Sequence, residues 1–310
     1  MTSFGMPLLE AGKRRMGSGT GAQGSLIWVV VLAVAVLGAG CHKQQVAPAE
    51  ERWPQITPFN FQITEDANNY SIEGYLVAGK QAGPRPAMLV LNGEKGNARQ
   101  CIKSVSDFAA MGIIVVCVSL PGYGGSSGPG RFVGPQSVAT ARHAIDLLAA
   151  RADVDPKRIA VWGMGDGAVA AGLLMDSDSR PRAFILQSGA YDMLKLWPEA
   201  PLRTKLAILR QVWPSKRALR ERSVVEHLPG KLHCSILILH GEHDRRMPLK
   251  QAEQLAAALS KRGAHIQTYY VPKGTHDLGA RAVAGPVRGF LRDNLIAGGP
   301  VTLAATPGPG

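Results

Sequence analysis

The rhythm of apolar and polar positions changes along this chain, and each change predicts a different kind of element. Residues 59–64 and 70–77 alternate apolar and polar side chains around Asp66-Ala-Asn-Asn, the pattern of a half-buried β-hairpin. From Pro86 onward the alternation gives way to continuous apolar runs at 87–91, 113–120, 159–162, 184–186 and 236–239, as expected of strands covered on both faces, with a further strand read at 266–271. Helical spacing of apolar residues falls between them, at 98–111, 137–151, 167–175 and 249–262. Strand and helix therefore alternate after an antiparallel start. That order predicts an α/β architecture: a doubly wound, mostly parallel sheet with helices on both faces and right-handed crossovers.

Residues 193–229 break the alternation with a largely helical stretch rich in Leu, Trp, Arg and Lys, which reads as a small cap insert. Between Arg203 and Arg222 it carries seven basic residues and one acidic one. Two readings stay open: a cationic cap facing an anionic substrate or lipid headgroups, and an ordinary solvated helix face. The Gly/Pro/Ala-rich tail at 297–310 reads as disordered.

The first forty residues read as an address. Lys13, Arg14 and Arg15 precede an apolar run at 26–37, shorter than the roughly 20 residues that span a bilayer and suited to a secretory signal. The run ends in Leu37-Gly-Ala-Gly-Cys41, which resembles the lipobox of bacterial lipoproteins with glycine where leucine is usual three places before the cysteine. The resemblance implies an exported chain lipidated on Cys41, joined through a polar tether at 41–57 to a domain at 58–296. A partner membrane reached through that lipid anchor follows.

Charge and cysteine content narrow the function classes. A formal charge of +12 admits acidic partners, but the basic residues are scattered and no nucleic-acid motif accompanies them, so no nucleic-acid partner is expected. Apart from Cys41 there are Cys101, Cys117 and Cys234, without metal-ligand spacing. Cys117 lies within an apolar run and reads as a small buried hydrophobe, although a disulfide between two of the three stays open. No metal and no cofactor are expected.

The chemistry is concentrated at Ile159-Ala-Val-Trp-Gly-Met-Gly-Asp-Gly-Ala168, an apolar strand entering a glycine-rich turn and then an alanine-rich helix. Four other stretches accompany it: Leu89-Val-Leu-Asn-Gly-Glu-Lys-Gly96, Leu120-Pro-Gly-Tyr-Gly-Gly-Ser126, Leu239-His-Gly-Glu-His-Asp-Arg-Arg-Met-Pro248 and Lys273-Gly-Thr-His276, with Asp153-Val-Asp-Pro-Lys-Arg158 leading into the turn. In this order they resemble the α/β-hydrolase superfamily, in its dienelactone hydrolase and prolyl-oligopeptidase-like branch, over about residues 70–295. The resemblance implies a G-x-S-x-G nucleophile elbow, with Gly163 and Gly167 at the flanking small positions and Gly165 where the serine belongs. It further implies Asp244 as the acid and His276 as the base. Asn92, Gly93 or Glu94, together with Asp166, would supply the backbone N–H groups of an oxyanion hole. Tyr123 is a candidate pocket residue.

Glycine has no side chain with which to attack a carbonyl. Asp166 as a substitute nucleophile would push Met164 into a position that needs a small residue, and a helix-capping role suits it better. Ser188 and Asp192, after the sixth strand, are the remaining alternatives for nucleophile and acid. The sequence thus supports two readings: a binding protein of the cell envelope that takes a small-molecule or peptide ligand without acyl-enzyme chemistry, and an ester or peptide hydrolase that uses His276 and Asp244 with an activated water or a displaced nucleophile.

Overall fold

A computed structural model describes residues 54–93 and 96–297. The segments read as signal and tether up to residue 53, Cys41 among them, and Glu94 and the tail after residue 297 lie outside the described residues.

The chain opens with β1 (Gln55–Glu65) and β2 (Asn68–Ala78), paired antiparallel in unbroken register. Asp66 and Ala67 between them have φ of 49° and 61°, the left-handed pair that a two-residue hairpin turn demands. Strand β1 begins at Gln55, three residues inside the stretch read as tether, because the alternation becomes legible only from Phe59. There follow β3 (Arg85–Leu91), α1 (Ala98–Ala110), β4 (Ile114–Val118), α2 (Pro135–Ala149), β5 (Val154–Met164) and α3 (Asp166–Ser177). After β6 (Ala183–Gln187) come the three short insert helices α4 (Met193–Glu199), α5 (Leu202–Leu209) and α6 (Lys216–Glu221). The domain closes with β7 (Ser235–Gly241), α7 (Lys250–Ser260), β8 (His265–Val271) and α8 (Ala280–Leu291).

The eight strands form one sheet in the order β1-β2-β4-β3-β5-β6-β7-β8, parallel from β4 across to β8. All seven residues of β3 and all five of β4 and β6 are buried, which is why residues 87–91, 114–118 and 183–186 are continuously apolar rather than alternating. Helices α2, α3 and α7 pack on one face through residues such as Ile145, Leu148, Leu174 and Leu255. Helices α1 and α8 cover the other through Val105, Phe108, Val287 and Phe290. Burying each such side chain contributes about 1.5–3 kcal/mol.

Helix α8 was not legible in the sequence because Gly285, Pro286 and Gly289 interrupt its pattern, yet Val283, Val287, Phe290 and Leu291 still line one buried stripe. The reading of Cys117 also needs correction. It is fully buried as expected, but it is bonded to Cys101 and so staples α1 to β4 across sixteen residues. Cys234 remains a free, buried thiol whose pKa burial pushes up to about 11. Among the described residues, no helix is long and apolar enough to cross a membrane.

Candidate active site

The parallel strands end along one edge of the sheet, and the loops that leave them bring the chemistry together. Strand β5 runs into Gly165, whose φ of +55° and ψ of −117° make the sharp strand-to-helix turn of an elbow. Its N–H donates to the Gln187 carbonyl at 2.8 Å, tying the turn to the end of β6. The flanking glycines are demanded by packing. A Cβ on Gly163 would collide with the Gly167 carbonyl, and a Cβ on Gly167 with the Leu91 carbonyl of β3.

Gly165 differs from both. A Cβ there would lie 3.5 Å from Gly93 Cα and 3.9 Å from His276 Nε2, both ordinary contacts. A hydroxyl one bond further out would come within hydrogen-bond reach of the imidazole. The turn therefore has space for a side chain directed at His276, and Gly165 supplies none.

His276 stands in the loop after β8. Its Nδ1 donates to Asp244 Oδ2 at 2.8 Å, which leaves Nε2 as the acceptor facing the elbow. Asp244 is held from the other side, with Oδ1 accepting from the N–H groups of Arg246 at 2.8 Å and Met247 at 2.9 Å. Burial alone would raise the Asp244 pKa, but the hydrogen bonds from His276, Met247 and Arg246 outweigh it and hold the carboxylate below its ordinary value. The two loops are joined directly, because the His243 N–H donates to the Gly274 carbonyl at 2.8 Å. His243 itself is an exposed turn residue, as its sequence context suggested.

His240 is a part of this arrangement that sequence reasoning missed. It is fully buried, its Nε2 donates to the Met247 carbonyl at 2.8 Å, and it lies 3.5 Å from Asp244 Oδ2. Burial depresses its pKa, so it stays neutral and braces the acid loop without adding charge. Its position in a buried strand, one residue before Gly241, was the available signal.

On the β3 side, Asn92 and Gly93 line the same cavity as Gly165, Asp166 and His276. The Asn92 amide donates to the Asn97 carbonyl, while Asn97 caps α1 by accepting from the Gln100 N–H at 2.9 Å. The turn is thus anchored to the start of a helix. Asp166, the first residue of α3, places its N–H where helix N-termini direct their donors. Glu94 lies outside the described residues.

Three expectations change. Asp166 does not cap α3 with its side chain, since the cap position is Gly165. Its carboxylate instead lies 3.2 Å from the Tyr123 hydroxyl, which is also 3.0 Å from Gln211 Oε1. Tyr123 accordingly stands behind Asp166 and is not among the cavity-lining residues. Asp192 is occupied elsewhere: it accepts from the Lys195 N–H at 3.0 Å as the cap of α4 and pairs with the Lys195 ammonium at 2.9 Å. Ser188 does line the cavity. It has φ of +52°, and its buried hydroxyl has no hydrogen-bond partner.

The cavity encloses about 380 Å³ and is roofed by the insert through Arg203, Thr204, Ala207 and Arg210 of the α5 region. Its side wall includes Phe132, which belongs to a left-handed run in which Arg131, Phe132 and Val133 have φ of 47°, 43° and 56°. Such a run is strained for residues with a Cβ. Arg222 from the insert holds it: the guanidinium, 5% exposed, donates to the Arg131 carbonyl at 3.1 and 3.2 Å and to the Phe132 carbonyl at 2.8 Å. Nothing in the sequence marked Arg222 out from its six basic neighbours. Among the described residues, no group of three or more His, Cys, Asp and Glu side chains converges as metal ligands.

Against known proteins, the model of the prolyl oligopeptidase family matches residues 103–286. An uncharacterized protein of Mycobacterium tuberculosis is 28% identical over 245 residues, covering 76% of this chain and 80% of that protein. A solved puromycin-hydrolyzing peptidase of Mycobacterium tuberculosis superposes with a TM-score of 0.63 at 18% identity, covering 77% of this chain and 39% of its own. An acetyl xylan esterase from Paenibacillus sp. R4 superposes with a TM-score of 0.64 at 18% identity, covering 81% of this chain and 87% of its own. This chain thus spans about two fifths of the length of that peptidase. At these identities the solved structures establish the fold.

Proposed function

Since the chain belongs to the prolyl oligopeptidase family of α/β-hydrolases, we propose that it is a pseudohydrolase of the cell envelope, one that takes a small-molecule or peptide ligand into the cavity beside His276 without forming an acyl-enzyme. The observation that carries this reading is Gly165. The base and acid are paired at 2.8 Å, and Nε2 lies 3.9 Å from where a Cβ at residue 165 would stand. That spacing supports a site that would accept a serine, with the residue type at 165 as its departure. Without its nucleophile, a serine-protease triad keeps only about 10³–10⁴-fold over water, from binding and the oxyanion hole.

The test compares the natural chain, Gly165→Ser and Gly165→Ser/His276→Ala for labelling by a fluorophosphonate and turnover of short-chain p-nitrophenyl esters. The natural chain is expected to take no label, the serine variant to gain it, and the double variant to lose it again. Robust ester turnover by the natural chain that disappears in His276→Ala would sink the pseudohydrolase reading.

A second reading is favoured by the intact Asp244–His276 pair. With Nε2 free to accept a proton above Gly165, His276 would activate a water against an ester held at the Asn92–Gly93 turn. The water oxygen bonds to the carbonyl carbon as its proton passes to Nε2, and the ester C–O bond breaks as that proton goes to the departing alkoxide. Ser188 is the corresponding candidate for a displaced nucleophile. Both predict slow turnover abolished by His276→Ala, and only the displaced nucleophile predicts loss in Ser188→Ala.

Export and lipidation of Cys41 complete the proposal. The Cys101–Cys117 disulfide supports it, because such bonds persist in oxidising compartments. Membrane association unchanged by Cys41→Ser would remove the lipid anchor.

A further inference from the structure

The insert carries a surface that neither the fold nor the cavity uses. Leu202, Leu206 and Leu209 of α5 are 72%, 44% and 41% exposed, and Trp213 in the loop that follows is 78% exposed. Residues 202, 206 and 209 recur at helical spacing, so they share one side of α5. Its core side is Thr204 and Ile208, both buried. Four of the eight large hydrophobic residues exposed among the described residues therefore sit within twelve positions, and the two most exposed of all are among them.

The stripe is bordered by positive charge. Arg203 and Arg210 stand on the flank of α5 that meets the cavity, and Lys216 opens α6. None of these three side chains has an ion-pair or hydrogen-bond partner among the described residues. The single acidic residue of this stretch, Glu221, is taken by Arg217 at 2.8 Å and lies 3.7 Å from Arg222. The surface thus combines a narrow exposed apolar stripe with a cationic border that its own domain does not neutralise.

We propose that α5 and Trp213 seat this domain on an anionic lipid bilayer, with Leu202, Leu206, Leu209 and Trp213 entering the headgroup–acyl boundary and Arg203, Arg210 and Lys216 lying among the phosphates. An amphipathic helix with leucine and tryptophan on one side and a basic border fits that environment, where apolar burial and attraction to anionic lipid act together. Four side chains fall far short of the roughly 20–30 residues a side of a stable protein interface, which disfavours a second copy of the chain as the occupant. Because α5 also roofs the cavity through Thr204 and Ala207, seating its leucine side on lipid fixes the cavity roof from outside. The inference needs neither the Cys41 anchor nor the missing nucleophile.

The test uses the full chain on vesicles made of equal parts phosphatidylglycerol and phosphatidylcholine with brominated acyl chains, against vesicles of phosphatidylcholine alone. The Trp213 contribution to quenching is the difference between the natural chain and Trp213→Phe. Quenching of the Trp213 share is expected on the anionic vesicles, its loss in Leu206→Asp/Leu209→Asp, and its decline as ionic strength rises from about 0.05 to about 0.5 M. The aspartates replace exposed residues, and an unchanged thermal melt confirms that the variant is folded. Vesicle-bound chain whose Trp213 emission is untouched by brominated lipid would overturn the proposal, whatever the N-terminal segment does. So would a dimer in sedimentation that Leu206→Asp/Leu209→Asp dissolves.

Discussion

The elbow and the insert face each other across one cavity and are built on opposite principles. At the elbow, backbone packs on backbone: Gly163 against Gly167, Gly167 against β3, Gly165 against Gly93. No side chain can be added at the first two positions without displacing α3 or β3. The insert is three short helices docked through the buried side chains of Met193, Leu196, Ile208 and Leu219 and through Arg222, and it leaves leucines and a tryptophan in solvent. One region is rigid because its contacts are between groups that cannot change rotamer. The other is docked by side chains, a buried cation among them, so it is where the cavity can be altered without unfolding the sheet.

The sharpest way to break this contrast is within the elbow itself. Gly167→Ala is expected to cost about 3 kcal/mol or more, because the new methyl meets a β3 carbonyl that cannot yield. Gly165→Ala has room for its methyl and bears mainly the left-handed backbone cost of about 1–2 kcal/mol. Urea denaturation of the two variants would separate them, and equal losses would contradict the packing account.

Across the cavity, Arg222→Ala removes the donors that satisfy the Arg131 and Phe132 carbonyls and is expected to cost about 2–3 kcal/mol. It should also release Phe132 from the cavity wall, seen as faster hydrogen exchange at residues 131–133 with the β5–β6 core unchanged. If protection were lost from the whole sheet, the insert would not be separable from it.

The smallest effect is on pH dependence. Asp244 is held below its usual 3.8 and His240 below its usual 6.5, so in both cases the unfolded chain binds the proton first. Their contribution to stability is complete above pH 6.5, declines below it as His240 protonates in the unfolded chain, and declines again below pH 3.8 as Asp244 follows. A urea midpoint flat from pH 7 down to 3, or an unaltered lower limb in Asp244→Asn, would contradict this assignment.

How much of this was legible depended on the range of the interaction concerned. Buried strands announced themselves because a strand covered on both faces has no polar position to spare, and the order of elbow, Asp244 and His276 followed from local motifs. Helix α8 was hidden because tertiary burial of Val283, Val287 and Phe290 outweighs the propensity of Gly285, Pro286 and Gly289. Asp192 was a plausible acid until its side chain proved to be capping α4.

By itself, then, the sequence determined the alternation of strands and helices, the glycine-rich turn after β5 and the excess of positive charge in the insert. Each is a property of residue type and spacing along the chain. Only the tertiary structure decided that Cys101 reaches Cys117, that His240 braces Asp244, that Arg222 secures a strained turn ninety residues away and that the insert turns its leucines outward. Those pairings rest on distances between segments remote in sequence, which residue type constrains only weakly until the sheet has assembled.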